Sequence, residues 1–273
     1  MTYLNPYTKL RMKWGIALET KYIISLDGAK IAYQVLGKGP ALLLVHGAGA
    51  QGKSRWIEYG WAKALEKYFT VIIPDLRGFG ESDKSYEENF YSIDKILDDL
   101  NAIVRECGFK EYYYFGHSYG ATIGFQACKR SESIKKAICA GSYFGDDFFK
   151  IIVPTWIREY EDANLKKKEN KLSQMGLSDE EIDWIEKTDL NLWIAQFKAW
   201  NKWDGVHPKD IKAKLFVYTG TKDTENIVEH IRKQEEDIKN HNITLKVFEN
   251  LNHDELIRKI ETVSPWVIDF FMK

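Results

Sequence analysis

The sequence predicts an α/β fold in which a mostly parallel sheet of roughly eight strands is flanked by helices. Three observations predict it. Short, wholly apolar runs such as "ALLLVHG" (41–47) end in glycine, as expected for strands buried on both faces. Segments of helical period separate these runs, and glycine-bearing loops follow several of them.

The elements can be taken in order. "KYIISL" and "KIAYQVL" flank "DGA", a hairpin signal. After "ALLLVHG", the stretch "SRWIEYGWAKALEKY" has helical spacing that lets Trp56, Trp61, Leu65 and Tyr68 share a face. "FTVIIPDL" reads as a strand, "RGFGESD" as a loop, and "YSIDKILDDLNAIVRECG" as an amphipathic helix capped at Gly108. "EYYYFG" is a strand, "YGATIGFQACKRS" a helix and "KKAICAG" a strand. Further on, "AKLFVYTG" and "ITLKVFEN" are strands on either side of the helix "TENIVEHIRKQEEDIKN", and "DELIRKIETVSPWVIDFFMK" supplies the closing helix. Residues 145–208 interrupt the alternation. They are Trp-rich and show no strand pattern, so they are expected to form a helical insertion between two core segments, 1–144 and 209–273. Within the insertion, "SDEEIDWI" opens with the capping-box pattern Ser178 to Glu181. "LNLWIAQFKAW" sets Leu190, Trp193, Ile194, Phe197 and Trp200 on one stripe. The run "KKKENK" reads as a solvated face.

Composition narrows the function classes. The chain has 273 residues, with 39 basic and 40 acidic side chains, and this balance gives no electrostatic footprint for nucleic acid or an anionic membrane. A small-molecule substrate is expected; oligomeric state is not legible. No apolar run reaches the roughly 18 residues needed to span a bilayer. "MTYLNPYTKLRMKWGIALE" lacks the apolar stretch of a secretory leader, so a cytoplasmic location is expected. Cys107, Cys128 and Cys139 lack a C-x-x-C pair and read as reduced, mostly buried thiols.

The stretch "EYYYFGHSYGATIGF" (111–125) carries the chemistry. "GHSYG" fits G-x-S-x-G, where Ser118 follows a strand and opens a helix. On such a turn the serine projects above the sheet edge. Side chains two residues away would crowd the turn, which accounts for glycine at 116 and 120. The backbone N–H of Tyr119 then points from a helix start toward the reacting centre.

Taken together, the motifs resemble those of the α/β-hydrolase superfamily, and the resemblance covers nearly the whole chain. "VHGAGA" (45–50), "DLRGFGES" (75–82), "GHSYGA" (116–121), "GTKD" (220–223) and "NLNHDEL" (250–256) fall in the family's order, each at a strand end. The resemblance implies a triad of Ser118, Asp223 and His253, with Asp146 or Asp147 as the runner-up acid. It also implies an oxyanion hole from the N–H groups of Tyr119 and Ala48, with Gly49 as the alternative to Ala48, and a helical cap at 145–208. A serine hydroxyl needs an imidazole to take its proton, and the imidazole needs a buried carboxylate. His46 belongs to a structural turn, and the side chain of His117 is expected to point away from the site. His207, His230 and His241 are expected to be exposed. Asp75 and Arg77 read as a charged pair holding a glycine loop. Trp156, Trp193 and Phe197 are candidates to line an apolar substrate pocket, with core packing of the insertion as the plainer role.

The implied activity is that of a serine hydrolase with an acyl-enzyme intermediate, a carboxylesterase on small apolar or aromatic esters first. Cleavage of thioesters, amides or C–C bonds, or a receptor-like binding role, stands as the alternative. Neither a metal nor an organic cofactor is implied. Serine at 118 argues against the dehalogenase and epoxide-hydrolase branches, which use aspartate there.

Overall fold

A computed structural model describes residues 18–49 and 52–273; the N-terminal stretch read for a leader lies, up to residue 17, outside the described residues. Eight strands form one sheet: β1 (Lys21–Ile24), β2 (Lys30–Leu36), β3 (Ala41–Val45), β4 (Thr70–Pro74), β5 (Tyr112–His117), β6 (Ile134–Ala140), β7 (Lys214–Lys222) and β8 (Thr244–Asn252). Their spatial order is β1-β2-β4-β3-β5-β6-β7-β8. β2 runs against both its neighbours, while every pairing from β4 through β8 is parallel. The order reverses between β3 and β5, and in open α/β sheets ligands bind at the carboxyl ends of the strands near such a reversal.

Ten α-helices accompany the sheet among the described residues: α1 (Ser54–Glu58), α2 (Trp61–Leu65), α3 (Ile93–Glu106), α4 (Tyr119–Arg130), α5 (Val153–Lys168), α6 (Asp179–Lys187), α7 (Leu190–Trp200), α8 (Glu225–Asn240), α9 (Glu255–Arg258) and α10 (Ile260–Met272). Period-two alternation along the strands divides the core. Leu43, Val45, Cys139 and Val217 pack with α3, α4 and α8 on one face. Leu42, Leu44, Phe115 and Tyr218 pack with α1, α2, α9 and α10 on the other. Cys128 and Cys139 are buried free thiols and Cys107 is half-buried; burial pushes Cys128 up to about 12.

Two helical expectations change in detail. The stretch expected as one helix over 54–68 is broken at Gly60, whose φ of 87° lies outside the helical region. The break lets Trp56 and Trp61 both converge on Phe115, with ring centroids at 4.8 and 5.1 Å, while Tyr68 is left 40% exposed and off the shared face. The closing helix is likewise divided at Lys259.

From β6 to β7 the chain is helical. A π-turn over Phe148–Ile152 leads into α5, followed by α6 and α7. The Ser178–Glu181 capping box forms as expected at α6. An isolated antiparallel bridge, Gly145 to Val206, brings the start and end of this segment together. The Gly205 N–H donates to Asp146 Oδ1 at 2.7 Å beside it.

Arg77 anchors the loop after β4, though not by pairing with Asp75. Its guanidinium, fully buried, donates from Nε to Asp99 Oδ2 at 2.7 Å, from Nη1 to Asp27 Oδ2 at 2.9 Å and to the Phe90 carbonyl at 2.7 Å. It therefore ties the β1–β2 turn, α3 and the 76–90 segment together. Arg77→Met would leave Asp99 buried without its cation. The expected loss is about 3–5 kcal/mol, measured by urea denaturation at pH 7. A loss below about 1 kcal/mol, the range of a surface pair, would show the network to be dispensable. The hydrogen bond from Arg77 also holds the Asp27 carboxyl well below its usual range, against the opposing effect of burial. That contribution is present above pH about 4 and fades as pH falls, so the gap between wild type and variant should narrow in acid.

Candidate active site

The turn after β5 has the geometry its glycines predict. Ser118 has φ 55° and ψ −117°, a region non-glycine residues rarely adopt. A Cβ added at Gly116 would lie 2.2 Å from the Gly120 carbonyl oxygen, and one at Gly120 would lie 2.2 Å from that of Val45. No side chain fits at either place. Ser118 N–H donates to the Ala140 carbonyl at 2.8 Å, and its own carbonyl accepts from Thr122 N–H at 3.0 Å to start α4. Tyr119 is the first residue of α4, so its N–H has no acceptor within the helix and lies at the positive end of the helix dipole.

Asp223 follows β7 and is buried. Its Oδ2 accepts from Thr219 Oγ1 at 2.7 Å, and its Oδ1 accepts from Thr224 N–H and from His253 Nδ1, each at 2.7 Å. Burial works to raise this carboxyl. The bonds from His253, Thr219 and Thr224 outweigh it and hold the group below its ordinary value. His253 sits in the turn between β8 and α9. Asn252 Oδ1 accepts from Glu255 N–H at 3.0 Å, and Glu255 Oε2 accepts from Asn252 N–H at 3.1 Å on either side of it. With Nδ1 donating to Asp223, the Nε2 lone pair is free to take a proton.

The imidazole lies over Gly141, where an added Cβ would come within 3.0 Å of His253 Cε1. Gly141 directly follows Ala140, the residue that accepts from Ser118 N–H. The predicted groups stand at the ends of β5, β7 and β8, with the Ser118 N–H and the His253 ring both against the Ala140–Gly141 end of β6. Asp223 and His253 are hydrogen-bonded; no hydrogen bond joins His253 Nε2 to Ser118 Oγ in this structure. Such contacts often tighten only when substrate is bound.

The runner-up acids are engaged elsewhere. Asp146 bonds Gly205 N–H, and Asp147 accepts from His230 Nε2 at 2.9 Å. His230 is not exposed as expected but half-buried, stacked on Tyr143 at 4.1 Å; His207 and His241 are exposed. His46 accepts at Nε2 from Leu76 N–H at 3.0 Å, and its Nδ1 donates to the Gly47 carbonyl at 2.7 Å, which makes it part of the turn's framework. Next to it, an added Gly47 Cβ would fall 3.0 Å from Ser118 Cβ, so the turn bearing Ala48 lies directly against the serine. The true partner of Asp75 is Lys53, which donates to it from both its backbone N–H and its Nζ.

Aromatic rings cover this corner. Tyr119 stacks on Trp200 at 4.2 Å and accepts from Trp200 Nε1 at 3.0 Å. Phe79 lies 5.2 Å from His46 and 6.0 Å from Trp193. Phe197 joins Trp193 at 5.7 Å to Trp156 at 5.5 Å. The three candidate pocket residues therefore pack in one ring cluster that reaches the site through Phe79 and Tyr119. A small cavity of about 10 Å³ lies beside α4, bounded by Thr122, Ser142, Phe148 and Phe149 among others, and Trp156, Trp193 and Phe197 do not line it. That volume holds about one water.

Comparison with known proteins agrees with this architecture. Residues 40–174 match the α/β hydrolase fold family. The epoxide hydrolase of Vigna radiata superposes with a TM-score of 0.72 over 93% of this chain and 98% of its own, at 18% identity. The chain has the α/β hydrolase fold. The enol-lactonase of Burkholderia xenovorans superposes at 0.68 over 93% of this chain and 100% of its own, at 19% identity. An uncharacterised hydrolase of Bacillus subtilis is 35% identical over 107 residues, 39% of this chain and only 38% of that relative. No described helix of the chain is long and apolar enough to cross a membrane.

Sequence reasoning did not find Lys53, Thr219, Phe79 or the contact made by His117. Thr219 stands four residues before Asp223, and Phe79 lies between the two loop glycines; those spacings are the only sequence signals. Lys53 and Asp75 are 22 residues apart, and no periodicity relates them.

Proposed function

We propose that the protein is a serine hydrolase that cleaves carboxylic esters through an acyl-enzyme, with residues 145–208 as a cap. The observation that carries this reading is Ser118 held at φ 55° beside Gly141, over which the Asp223-bonded imidazole of His253 lies. Ser118 Oγ attacks the acyl carbon as His253 Nε2 takes its proton. Asp223 fixes the tautomer and stabilises the imidazolium. The N–H groups of Tyr119 and Ala48 receive the oxyanion. His253 then protonates the leaving alkoxide, and a water deprotonated by His253 releases the acid.

The rings of Phe79, Tyr119 and Trp193 favour an uncharged apolar or aromatic acyl group. Among the structural neighbours, the enol-lactonase is named for a cyclic ester, which supports ester over amide. Epoxide hydrolases are also among them. Against that chemistry stands serine at 118, where the resemblance expects that branch to carry aspartate.

A panel of p-nitrophenyl esters, thioesters, amides and β-diketones, with fluorophosphonate labelling of Ser118, tests the proposal. Labelling with preferred turnover of short esters is expected; an unlabelled, inactive protein would overturn it. The closed ring cluster and the open Ser118–His253 contact favour ligand binding with little turnover as the second reading. Trp193→Ala should open the cluster and raise kcat/KM for hexanoate relative to acetate by about 10-fold, a magnitude typical of altered pocket contacts. An unchanged ratio would remove Trp193 from the pocket.

A further inference from the structure

We infer that His117 is a positioning residue for the base: through the His253 carbonyl it fixes the loop that sets the His253 ring over Gly141. The inference rests on the serine-hydrolase reading above. The side chain was expected to point away from the site; it reaches the histidine loop instead. His117 ends β5 and directly precedes Ser118, so one strand end supplies both the serine and a support for its base.

His117 Nε2 lies 2.9 Å from the His253 carbonyl oxygen. A carbonyl only accepts, so Nε2 carries the proton and Nδ1 is a bare acceptor. The two rings are 4.8 Å apart, tilted by 42°. Around His253 the other restraints are few. Its ring makes one side-chain hydrogen bond, to Asp223, and is 31% exposed. The Asn252 and Glu255 bonds that shape the turn lie at the surface. A buried donor acting on residue 253 itself therefore does what the exposed bonds do poorly.

A second observation separates this role from packing. His117 is 2% exposed, and its Nδ1 is buried with no hydrogen-bond partner among the described residues. An unpaired buried acceptor costs stability, and an aromatic hydrocarbon would fill the place without that cost. Burial also holds His117 down at about 3, so it stays a neutral donor near pH 7. A charge there would oppose the imidazolium that forms on His253 during attack.

His117→Phe keeps the ring and removes the donor. With a short p-nitrophenyl ester, kcat is expected to fall about 10- to 100-fold with KM within about twofold, the scale of a slightly misplaced catalytic group. Fluorophosphonate labelling of Ser118 should slow by the same factor. The melting temperature should change little, because relief of the unpaired Nδ1 offsets the donor lost to the His253 carbonyl, and His117→Asn, which restores a neutral donor, should recover part of kcat. Wild-type kcat and labelling rate in folded His117→Phe would overturn the inference. If that variant does not fold, His117→Ala carries the same test: lowered kcat at unchanged KM supports the role, and wild-type kcat overturns it. Wild-type protein that neither labels nor hydrolyses esters would instead overturn the underlying serine-hydrolase reading, and this inference with it.

Discussion

Ser118→Ala is expected to lower ester turnover by about 10⁵- to 10⁶-fold, the scale seen when a triad nucleophile is removed, and to leave the fold intact. The two halves of this expectation have separate physical grounds. Activity goes because no other hydroxyl has the same placement. Two other hydroxyls of this corner, those of Thr122 and Ser142, bond each other at 2.9 Å. The fold stays because the elbow is held by backbone and glycine. The Ser118 N–H bond to Ala140, the Thr122 N–H bond to Ser118 and the close packing at Gly116 and Gly120 do not use Ser118 Oγ. Alanine faces the same strain at φ 55° as serine does. The measurement is kcat for a p-nitrophenyl ester together with the urea midpoint. Retention of more than a few per cent of activity in folded Ser118→Ala would remove Ser118 as nucleophile.

The candidate site is legible in the sequence wherever it is written in backbone. Gly116 and Gly120 are demanded by contacts of 2.2 Å, and the apolar runs of β3, β5 and β6 are demanded by burial on both faces of the sheet. Such requirements leave local marks. What the sequence hid is written through space. Closeness within one motif suggests a pair between Asp75 and Arg77. The chain instead sends Asp75 to Lys53 and Arg77 to Asp99 and Asp27. Asp75 and Arg77, two residues apart just past β4, thus meet partners from different parts of the chain. The direction of His117 leaves no local mark for a related reason: its partner, the His253 carbonyl, lies 136 residues further along the chain. Helical period likewise predicted one helix over 54–68, since Gly60 is tolerable in a helix on local grounds; the packing of Trp56 and Trp61 on Phe115 decides otherwise.

Asp223→Asn is expected to lower kcat by about 10⁴-fold, as loss of the orienting carboxylate does in other triads. Asp223 Oδ1 now accepts from His253 Nδ1, and this keeps the Nε2 lone pair turned toward substrate. An amide can present its NH₂ to Nδ1, which moves the imidazole proton to Nε2 and removes the base. Stability supplies an independent check. Burial raises the Asp223 carboxyl, and its three hydrogen bonds more than reverse this, so the folded state ionises it more easily than the unfolded chain. A carboxyl depressed in this way contributes stability above its unfolded value of about 4, and loses it as pH falls through the folded value. The asparagine variant has no such group. The difference in urea midpoint between wild type and Asp223→Asn should therefore be largest near neutrality and shrink below pH about 4. Asp146→Asn provides the contrast, because Asp146 bonds Gly205 N–H at the neck of the helical segment and does not touch His253. Near-wild-type kcat is expected there. A larger loss of kcat in Asp146→Asn than in Asp223→Asn would transfer the acid's role to the end of β6.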